Sequence, residues 1–212
     1  MSRICQAHNV YHQGHAIHHD YHVVAFYISV ATQDYRNWCV LMGKRSDFER
    51  HPRDYYPTPI EAVIPLIPYL PSVGLFAEPC AGDGRLISHI EKLTGLNAYW
   101  MTDIEPRNDH IGEGDATTDQ IVGCSLCITN PPWGRKILHP IIENLSAQMP
   151  TWLLIYSDWS HTKQARPYLT RCSHIIAIGR VRWIKGSKNT GKDNACWYRF
   201  TPDETDTIFI NA

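Results

Sequence analysis

The sequence has no excess of charge of one sign, no regular cysteine framework and no apolar run long enough to cross a membrane. Twenty Lys and Arg residues oppose 21 Asp and Glu residues, so the formal net charge is -1. This balance excludes a polyanion-binding or membrane-surface character for the chain as a whole, and a membrane helix would need roughly 20 consecutive apolar residues. We therefore expect a soluble protein in which any nucleic-acid contact is a local patch.

The seven cysteines are odd in number, are scattered along the chain and follow no secretory signal. Disulfide frameworks occur in secreted chains with paired cysteines, so we expect reduced thiols and a cytoplasmic location. Cys124 and Cys127 form a lone CxxC, but a zinc site would need a second ligand pair nearby. The sequence therefore favours no bound metal.

The amino-terminal part differs in composition from the rest of the chain. Six of the 12 histidines lie within residues 1–22, namely His8, His12, His15, His18, His19 and His22. No carboxylate or cysteine constellation accompanies them as in a defined metal site, so we interpret residues 1–46 as a histidine-rich, weakly ordered extension. Residues 47–212 are long enough for one domain core, and we expect that domain to be a monomer.

Strand and helix patterns alternate along this domain. A short helix from about residue 59 should be bent or ended by Pro65 and Pro68. Strand patterns follow at residues 74–77, 98–102, 126–129, 151–156, 174–178 and 197–200, with helical patterns at 85–92, 137–147 and 163–169. The alternation predicts an α/β fold with a mostly parallel, doubly wound sheet and helices on both faces. Ligands of such sheets bind beyond the carboxyl ends of the strands.

The segment LFAEPCAGDGRLISHI consists of an apolar strand, a loop of small residues and a helix. Gly82 and Gly84 allow close approach of a ligand to the backbone. A pyrophosphate on the helix terminus would meet the carboxylates of Glu78 and Asp83, which oppose the favourable field of the helix. NAD and ATP therefore fit poorly. S-adenosylmethionine, which has an ammonium, a sulfonium and no phosphate, fits well.

Further acids follow the next strand. Asp103 lies about 20 residues beyond the glycine loop, the distance at which an acid commonly meets ribose hydroxyls, and Glu105 is the alternative ribose ligand. In the turn GEGDATT, Asp115 can accept a hydrogen bond from an adenine amino group and Ala116 can donate from its backbone. The order of these acids predicts an adenosine site.

The strand at 126–129 ends in Asn130, Pro131, Pro132 and Trp133. The Asn130 side-chain oxygen and the Pro131 carbonyl are two acceptors for one amine, and Pro132 holds that carbonyl rigid. Trp133 offers a flat face for a flipped-out base.

The string NPPW resembles the [DNS]PP[YFW] motif of amino-methyltransferases. Together with AEPCAGDG, it makes the chain similar to class I S-adenosylmethionine-dependent N6-adenine DNA methyltransferases of the small phage and bacterial type. The resemblance runs from about residue 47 to residue 200, and includes DYYPTP, SDW and the segment GRVRWIKGSKNTGKDNACWYRF.

This resemblance implies a Rossmann-like methyltransferase domain in a bacterial or phage-infected cell, with catalysis at residues 130–133. It implies S-adenosylmethionine contacts from DYYPTP, the glycine loop and the following strand ends. The implied cofactor residues are Tyr56, Thr58, Pro59, Glu78, Cys80, Ala81, Gly82, Gly84, Asp103, Ile104, Asp115, Ala116 and Asn130.

The substrate is less closely specified, because adenine N6, cytosine N4, an RNA base and a protein glutamine amide all present a planar NH2 group. Release-factor glutamine methyltransferases also carry an NPPY motif, and an inactive binding module of the same fold is a further alternative. The basic segment around Trp183 could hold a nucleic-acid strand, although a solvated hairpin would have the same composition. In combination with the acceptor pair and Trp133, it favours adenine N6 in DNA over a protein amide. Its cations are Arg180, Arg182, Lys185, Lys188 and Lys192.

Overall fold

The computed structural model describes residues 55–184, 186 and 188–212. The predictions for residues 1–46 and for Lys185 lie outside the described residues. Within the described part, no helix is both long and apolar enough to cross a bilayer.

The described strands form one eight-stranded sheet in the order β3-β2-β1-β4-β5-β7-β6-β8. All neighbours are parallel except that β7 runs antiparallel to β5 and β6. The strands are β1 Val73–Glu78, β2 Gly95–Asp103, β3 Gly112–Glu113, β4 Leu126–Thr129, β5 Thr151–Tyr156, β6 Cys172–Arg180, β7 Asn194–Phe200 and β8 Ile208–Asn211. The predicted α/β fold with a mostly parallel sheet is confirmed.

Helices cover both faces of this sheet. They are α1 Ile60–Val63, α2 Arg85–Leu93, α3 Arg135–Gln148 and α4 Arg166–Leu169, with 3₁₀ helices at Ile64–Tyr69, Ser157–His161 and Lys163–Ala165. In α3, the buried residues Leu138, Ile141, Ile142 and Leu145 recur at the spacing of one helical face. Helices α1 and α2 pack on one side of the sheet and α3 on the other.

The central strands explain why the sheet needs two covers. β4 is buried along its whole length, and β5 is buried except at Tyr156. Alternate side chains of β5 enter opposite cores: Trp152 and Leu154 face α1 and α2, whereas Leu153 and Ile155 face α3. A continuous apolar run is typical of a strand covered on both faces.

The predicted element bounds are confirmed for β4 and β5, and several other elements are longer than predicted. Helix α3 begins at Arg135, directly after Gly134, although the apolar pattern begins only at Ile137. Pro65 and Pro68 end α1, as predicted, and lie in the 3₁₀ helix that follows it. The predicted helix over 163–169 is divided into a 3₁₀ helix and α4. The short edge strands β3 and β8 were not predicted.

Candidate cofactor and substrate site

A cavity of about 710 Å³ lies at the carboxyl ends of β1, β2 and β4. The chain ahead of α1 forms another part of its wall. The predicted site residues that line it are Tyr56, Thr58, Glu78, Cys80, Ala81, Gly82, Asp103, Ile104, Asp115, Ala116, Asn130 and Pro132. Pro59, Gly84, Pro131 and Trp133 lie outside this lining. The structure thus brings together residues far apart in sequence, such as Tyr56 and Asn130, which are 74 positions apart.

The glycine turn at this cavity is built on backbone geometry that other residues rarely adopt. Gly82 has φ of +55°, and a Cβ added there would lie 2.7 Å from Cε2 of the Tyr55 ring. Gly84 has φ of +79° and immediately precedes α2. Glycine is therefore required at position 82 both by the left-handed conformation and by the close ring.

Asp103 connects the end of β2 to this turn. Its Oδ2 accepts a hydrogen bond from the Gly82 N–H at 2.8 Å, and its Oδ1 accepts one from the Glu105 N–H at 2.8 Å. Because each carboxylate oxygen has two lone pairs, both can still accept from a ligand hydroxyl. Asp103 thus shapes the turn and faces the cavity at the same time.

Glu78 is a buried carboxyl at the end of β1. It is 1% exposed and lines the cavity, and its Oε2 has no hydrogen-bond partner among the described residues. Burial raises the pKa of Glu78 well above its ordinary value, and the nearby charges of Asp103 and Asp83 raise it further. A cationic ligand that donates a hydrogen bond would satisfy this oxygen and stabilise its charge.

The loop after β3 is held against α3. The Ala116 carbonyl accepts a hydrogen bond from Asn144 Nδ2 at 3.0 Å. Asp115 Oδ1 accepts from the Thr117 N–H and hydroxyl at 2.9 and 2.7 Å. These contacts hold Asp115 and Ala116 at the cavity wall.

Asn130 follows β4, and its amide has a defined orientation. Nδ2 donates to the Tyr56 carbonyl at 3.2 Å and to the Thr58 hydroxyl at 3.1 Å. A carbonyl oxygen can only accept, so the NH2 end must face Tyr56. The side-chain oxygen of Asn130 therefore points away from these partners and is available as an acceptor.

Trp133 is anchored to the sheet beside Asn130. Its Nε1 donates to the Leu154 carbonyl at 2.8 Å. Its ring centroid lies 5.7 Å from that of Tyr156 and 5.5 Å from that of Trp183, with the second pair edge to face. The predicted base platform is thus a half-buried ring within an aromatic cluster.

Tyr55 and Arg107 are among the cavity-lining residues that were not predicted. The Arg107 guanidinium carbon lies 4.1 Å from the centroid of the Tyr55 ring, and the Arg107 N–H donates to the Gly82 carbonyl at 2.9 Å. Burial, followed by the charge of Asp83, raises the pKa of Tyr55 to about 12. Tyr55 lies in DYYPTP and could have been included on that signal, whereas no local pattern pointed to Arg107.

The basic segment after β6 closes on itself next to the aromatic cluster. The Gly191 N–H donates to the Val181 carbonyl at 2.8 Å, and the Trp183 ring centroid lies 6.3 Å from that of Tyr56. Arg180, Arg182, Lys188 and Lys192 are exposed. Trp183 therefore joins this segment to Tyr56 of the cavity wall and to Trp133 of the NPPW motif, while the four described cations face solvent.

The carboxyl edge of the sheet is divided by charge. Segments 79–85 and 103–119 carry Asp83, Asp103, Glu105, Asp109, Glu113, Asp115 and Asp119 with the cations Arg85 and Arg107. Among the described residues, segments 130–136, 157–166 and 180–193 carry the cations Arg135, Lys136, Lys163, Arg166, Arg180, Arg182, Lys188 and Lys192 with the acids Asp158 and Asp193. Cations therefore predominate beyond β4, β5 and β6, and acids beyond β1, β2 and β3, although the net charge of the whole chain is near zero.

Comparison with known proteins identifies this architecture by shape alone. No family model and no curated protein matches the sequence. A solved structure of a Listeria monocytogenes protein assigned as a class I S-adenosylmethionine-dependent methyltransferase aligns with a TM-score of 0.50 at 10% identity, over 78% of this chain and 68% of that chain. The chain has a Rossmann-like methyltransferase fold.

Other structures with the methyltransferase fold align less closely. A Pyrococcus horikoshii protein assigned as an RNA methyltransferase gives a TM-score of 0.48 at 13% identity, over 78% of this chain and 96% of that chain. The M protein of the type I restriction enzyme EcoKI gives 0.41 at 13% identity, over 72% of this chain and 47% of that chain. This chain thus spans about half the length of the restriction subunit.

Proposed function

We propose that this protein transfers a methyl group from S-adenosylmethionine to an exocyclic amine of a nucleic-acid base, with adenine N6 in DNA as the favoured target. The observation that carries the proposal is the oriented amide of Asn130 at the edge of an acid-lined cavity. The cytoplasmic location, the monomeric state and the boundary at residue 47 remain predictions.

The cavity residues fit S-adenosylmethionine better than a phosphate-bearing cofactor. Glu78 would hold the methionine ammonium, since its buried Oε2 needs a donor. Asp103 would bind the ribose hydroxyls, and Asp115 and Ala116 the adenine edge. A pyrophosphate would instead be repelled by the carboxylates of Glu78 and Asp83 at the cavity wall.

The acceptor side of the site suits an aromatic amine, whose lone pair is delocalised into its ring. Asn130 Oδ1 and the Pro131 carbonyl would accept its two hydrogens and favour a pyramidal nitrogen. When bound, S-adenosylmethionine supplies a methyl carbon on a cationic sulfur. The amine lone pair would form the N–C bond as the C–S bond breaks with its electron pair kept by sulfur, and the proton then lost by the nitrogen would pass to solvent.

The charge division of the sheet edge supports a nucleic-acid substrate. The cationic segments flank Asn130 on the side away from the acidic cofactor wall, so a phosphate backbone would be attracted to β4, β5 and β6 and repelled from β1, β2 and β3. The target base must leave a duplex stack to reach Asn130, and Trp133, three positions later in the chain, would offer that base an aromatic ring.

Nucleoside and amino-acid mass spectrometry would test the proposal directly. The protein and a cofactor carrying a CD3 methyl group are incubated with unmethylated plasmid DNA, total RNA and a cell extract, and the Asn130→Ala variant serves as the control. We expect CD3-labelled N6-methyladenine in the DNA sample with the unsubstituted protein only. Labelled methylglutamine in the extract alone would instead identify a protein amide methyltransferase. Binding of the cofactor without any transfer would identify an inactive binding module.

A further inference from the structure

We infer that Thr58 is a positioning residue whose hydroxyl, together with the Tyr56 carbonyl, holds the Asn130 amide with its oxygen toward the target amine. The hydrogen-bond geometry stands without any assigned activity. The kinetic consequences rest on the proposed function.

The two ends of an asparagine amide are nearly equal in shape, and the torsion that exchanges them has a broad, two-fold profile. Hydrogen bonding therefore determines which end faces the site. The amide of Asn130 has the Tyr56 carbonyl at 3.2 Å and the Thr58 hydroxyl at 3.1 Å as acceptors for the same nitrogen. A flipped amide would place Oδ1 against the Tyr56 carbonyl, acceptor against acceptor, so that carbonyl sets the orientation, and the Thr58 hydroxyl, which can accept or donate, adds a second hydrogen bond that holds the amide in place.

The flipped amide would also present the wrong chemistry to the substrate. Its NH2 group would face the N–H bonds of the target amine, donor against donor, and could not favour a pyramidal nitrogen. Only the orientation that the Tyr56 carbonyl requires, and that the Thr58 hydroxyl reinforces, provides an acceptor. Thr58 thus acts on the reaction through Asn130, beyond any contact it makes with the cofactor.

The segment that carries these two acceptors is stiff. Thr58 is 4% exposed and lies between Pro57 and Pro59, and a following proline restricts Thr58 to extended conformations. Helix α1 begins directly after Pro59, and the Trp197 Nε1 donates to the Ala62 carbonyl at 2.7 Å, which fastens that helix to β7. The acceptors are therefore held at a constant distance from the end of β4.

Thr129 offers a matched control, because it is also a buried threonine and immediately precedes Asn130. Its Oγ1 has no hydrogen-bond partner among the described residues. Its polar neighbour is the Cys80 thiol, a weak hydrogen-bonding group. Thr129→Val therefore removes a hydroxyl that is buried like that of Thr58 but makes no hydrogen bond to the Asn130 amide.

The test compares Thr58→Val, Thr58→Ser and Thr129→Val in the full-length protein. We expect Thr58→Val to lower kcat about fivefold, which corresponds to losing the net contribution of one hydrogen bond. The cofactor Kd from calorimetry should change less than twofold. Thr58→Ser and Thr129→Val should keep kcat near that of the unsubstituted protein. A Thr58→Val variant that loses cofactor affinity at unchanged kcat would overturn the inference and make Thr58 a cofactor ligand only.

A readout without turnover separates this inference from the proposed function. In the ¹⁵N-labelled protein, the side-chain NH2 signals of Asn130 should shift on Thr58→Val and remain in place on Thr129→Val. An unchanged Asn130 signal in the Thr58→Val variant would overturn the positioning role. If the signal shifts but the unsubstituted protein methylates no substrate, the positioning geometry stands and the proposed function fails.

A double-mutant cycle adds a check on the kinetics. In an Asn130→Ala background, Thr58→Val should have no further effect on residual turnover, because the amide that Thr58 positions is already absent. Additive losses would show that Thr58 acts independently of Asn130 and would contradict the inference.

Discussion

The Gly82 N–H donates a 2.8 Å hydrogen bond to Oδ2 of Asp103, 21 residues later in the chain. This bond joins the turn after β1 to the end of β2, so one carboxylate both shapes the cofactor turn and faces the cavity. We expect Asp103→Asn to weaken cofactor binding at least tenfold, because an amide placed between two N–H donors must leave one of them without an acceptor. Hydrogen bonds to charged groups contribute about 2 kcal/mol.

Calorimetric titration with S-adenosylmethionine measures this loss. Asp109→Asn is the matched control, since it removes an exposed acid from the same connection after β2. Equal affinity for S-adenosylmethionine in the Asp103 variant and the unsubstituted protein would show that Asp103 is not a cofactor ligand.

Glu78 gives a pH-dependent prediction for the ligand-free protein. Its pKa is raised above its ordinary value of 4.5, chiefly by burial, so above that value the unfolded chain ionises this group while the folded protein keeps it protonated. The unfolded state then binds fewer protons, and this group lowers stability as pH rises from about 4.5 toward the raised pKa. Glu78→Gln should therefore increase Tm at pH 7, by an amount that shrinks as pH falls to 4.5.

Thermal unfolding over this pH range tests the effect, with Glu61→Gln, an exposed glutamate of α1, as the control. The same Glu78 variant should bind S-adenosylmethionine more weakly because its amide cannot provide the negative charge. If the difference in Tm between Glu78→Gln and the unsubstituted protein grew toward acid pH, it would contradict a raised pKa of Glu78 in the folded protein.

Gly82→Ala should destabilise the protein by about 2 kcal/mol, because it combines a left-handed backbone with a contact on the Tyr55 ring. Gly179→Ala isolates the backbone part: Gly179 has φ of +73° and no atom within 4 Å of an added Cβ. Chemical denaturation should show a larger loss at position 82 than at position 179. In the double variant Gly82→Ala/Tyr55→Ala, the loss of unfolding free energy should be smaller than the sum of the two single losses, because Tyr55→Ala removes the ring that the added Cβ would contact. Strictly additive losses would argue against this contact.

Salt dependence tests the cationic half of the sheet edge. Each phosphate of duplex DNA that a substitution leaves without its cation should reduce the slope of log K against log salt by about 0.9. Lys188→Ala should therefore reduce the salt slope of DNA binding by one such step, and the double variant Lys188→Ala/Arg182→Ala should reduce it by a second step. Lys92→Ala, at the end of α2 and the opposite edge of the sheet, should leave it unchanged. An equal response to all three substitutions would indicate binding through net charge alone.

Local patterns in the sequence were sufficient for the central strands and for the glycine turn. β4 and β5 are continuous apolar runs bounded by turn residues, the pattern typical of strands that are buried on both faces. β3 has only two residues, so no local pattern could have revealed it. β8 is as long as β4 and begins with three apolar residues at 208–210, a strand signal from which it could have been predicted.

The sequence by itself determined which chemical groups reach the carboxyl edge of the sheet: an acidic glycine turn, further acids after β2, and the Asn-Pro-Pro-Trp end of β4. The tertiary structure decided how these groups are oriented. The Asn130 amide is set by Tyr56 and Thr58, 74 and 72 residues away, and Tyr55 is brought over Gly82 and against Arg107. The division of charge along the edge likewise depends on strand order. Such relations depend on distances across the fold, which local sequence patterns do not encode.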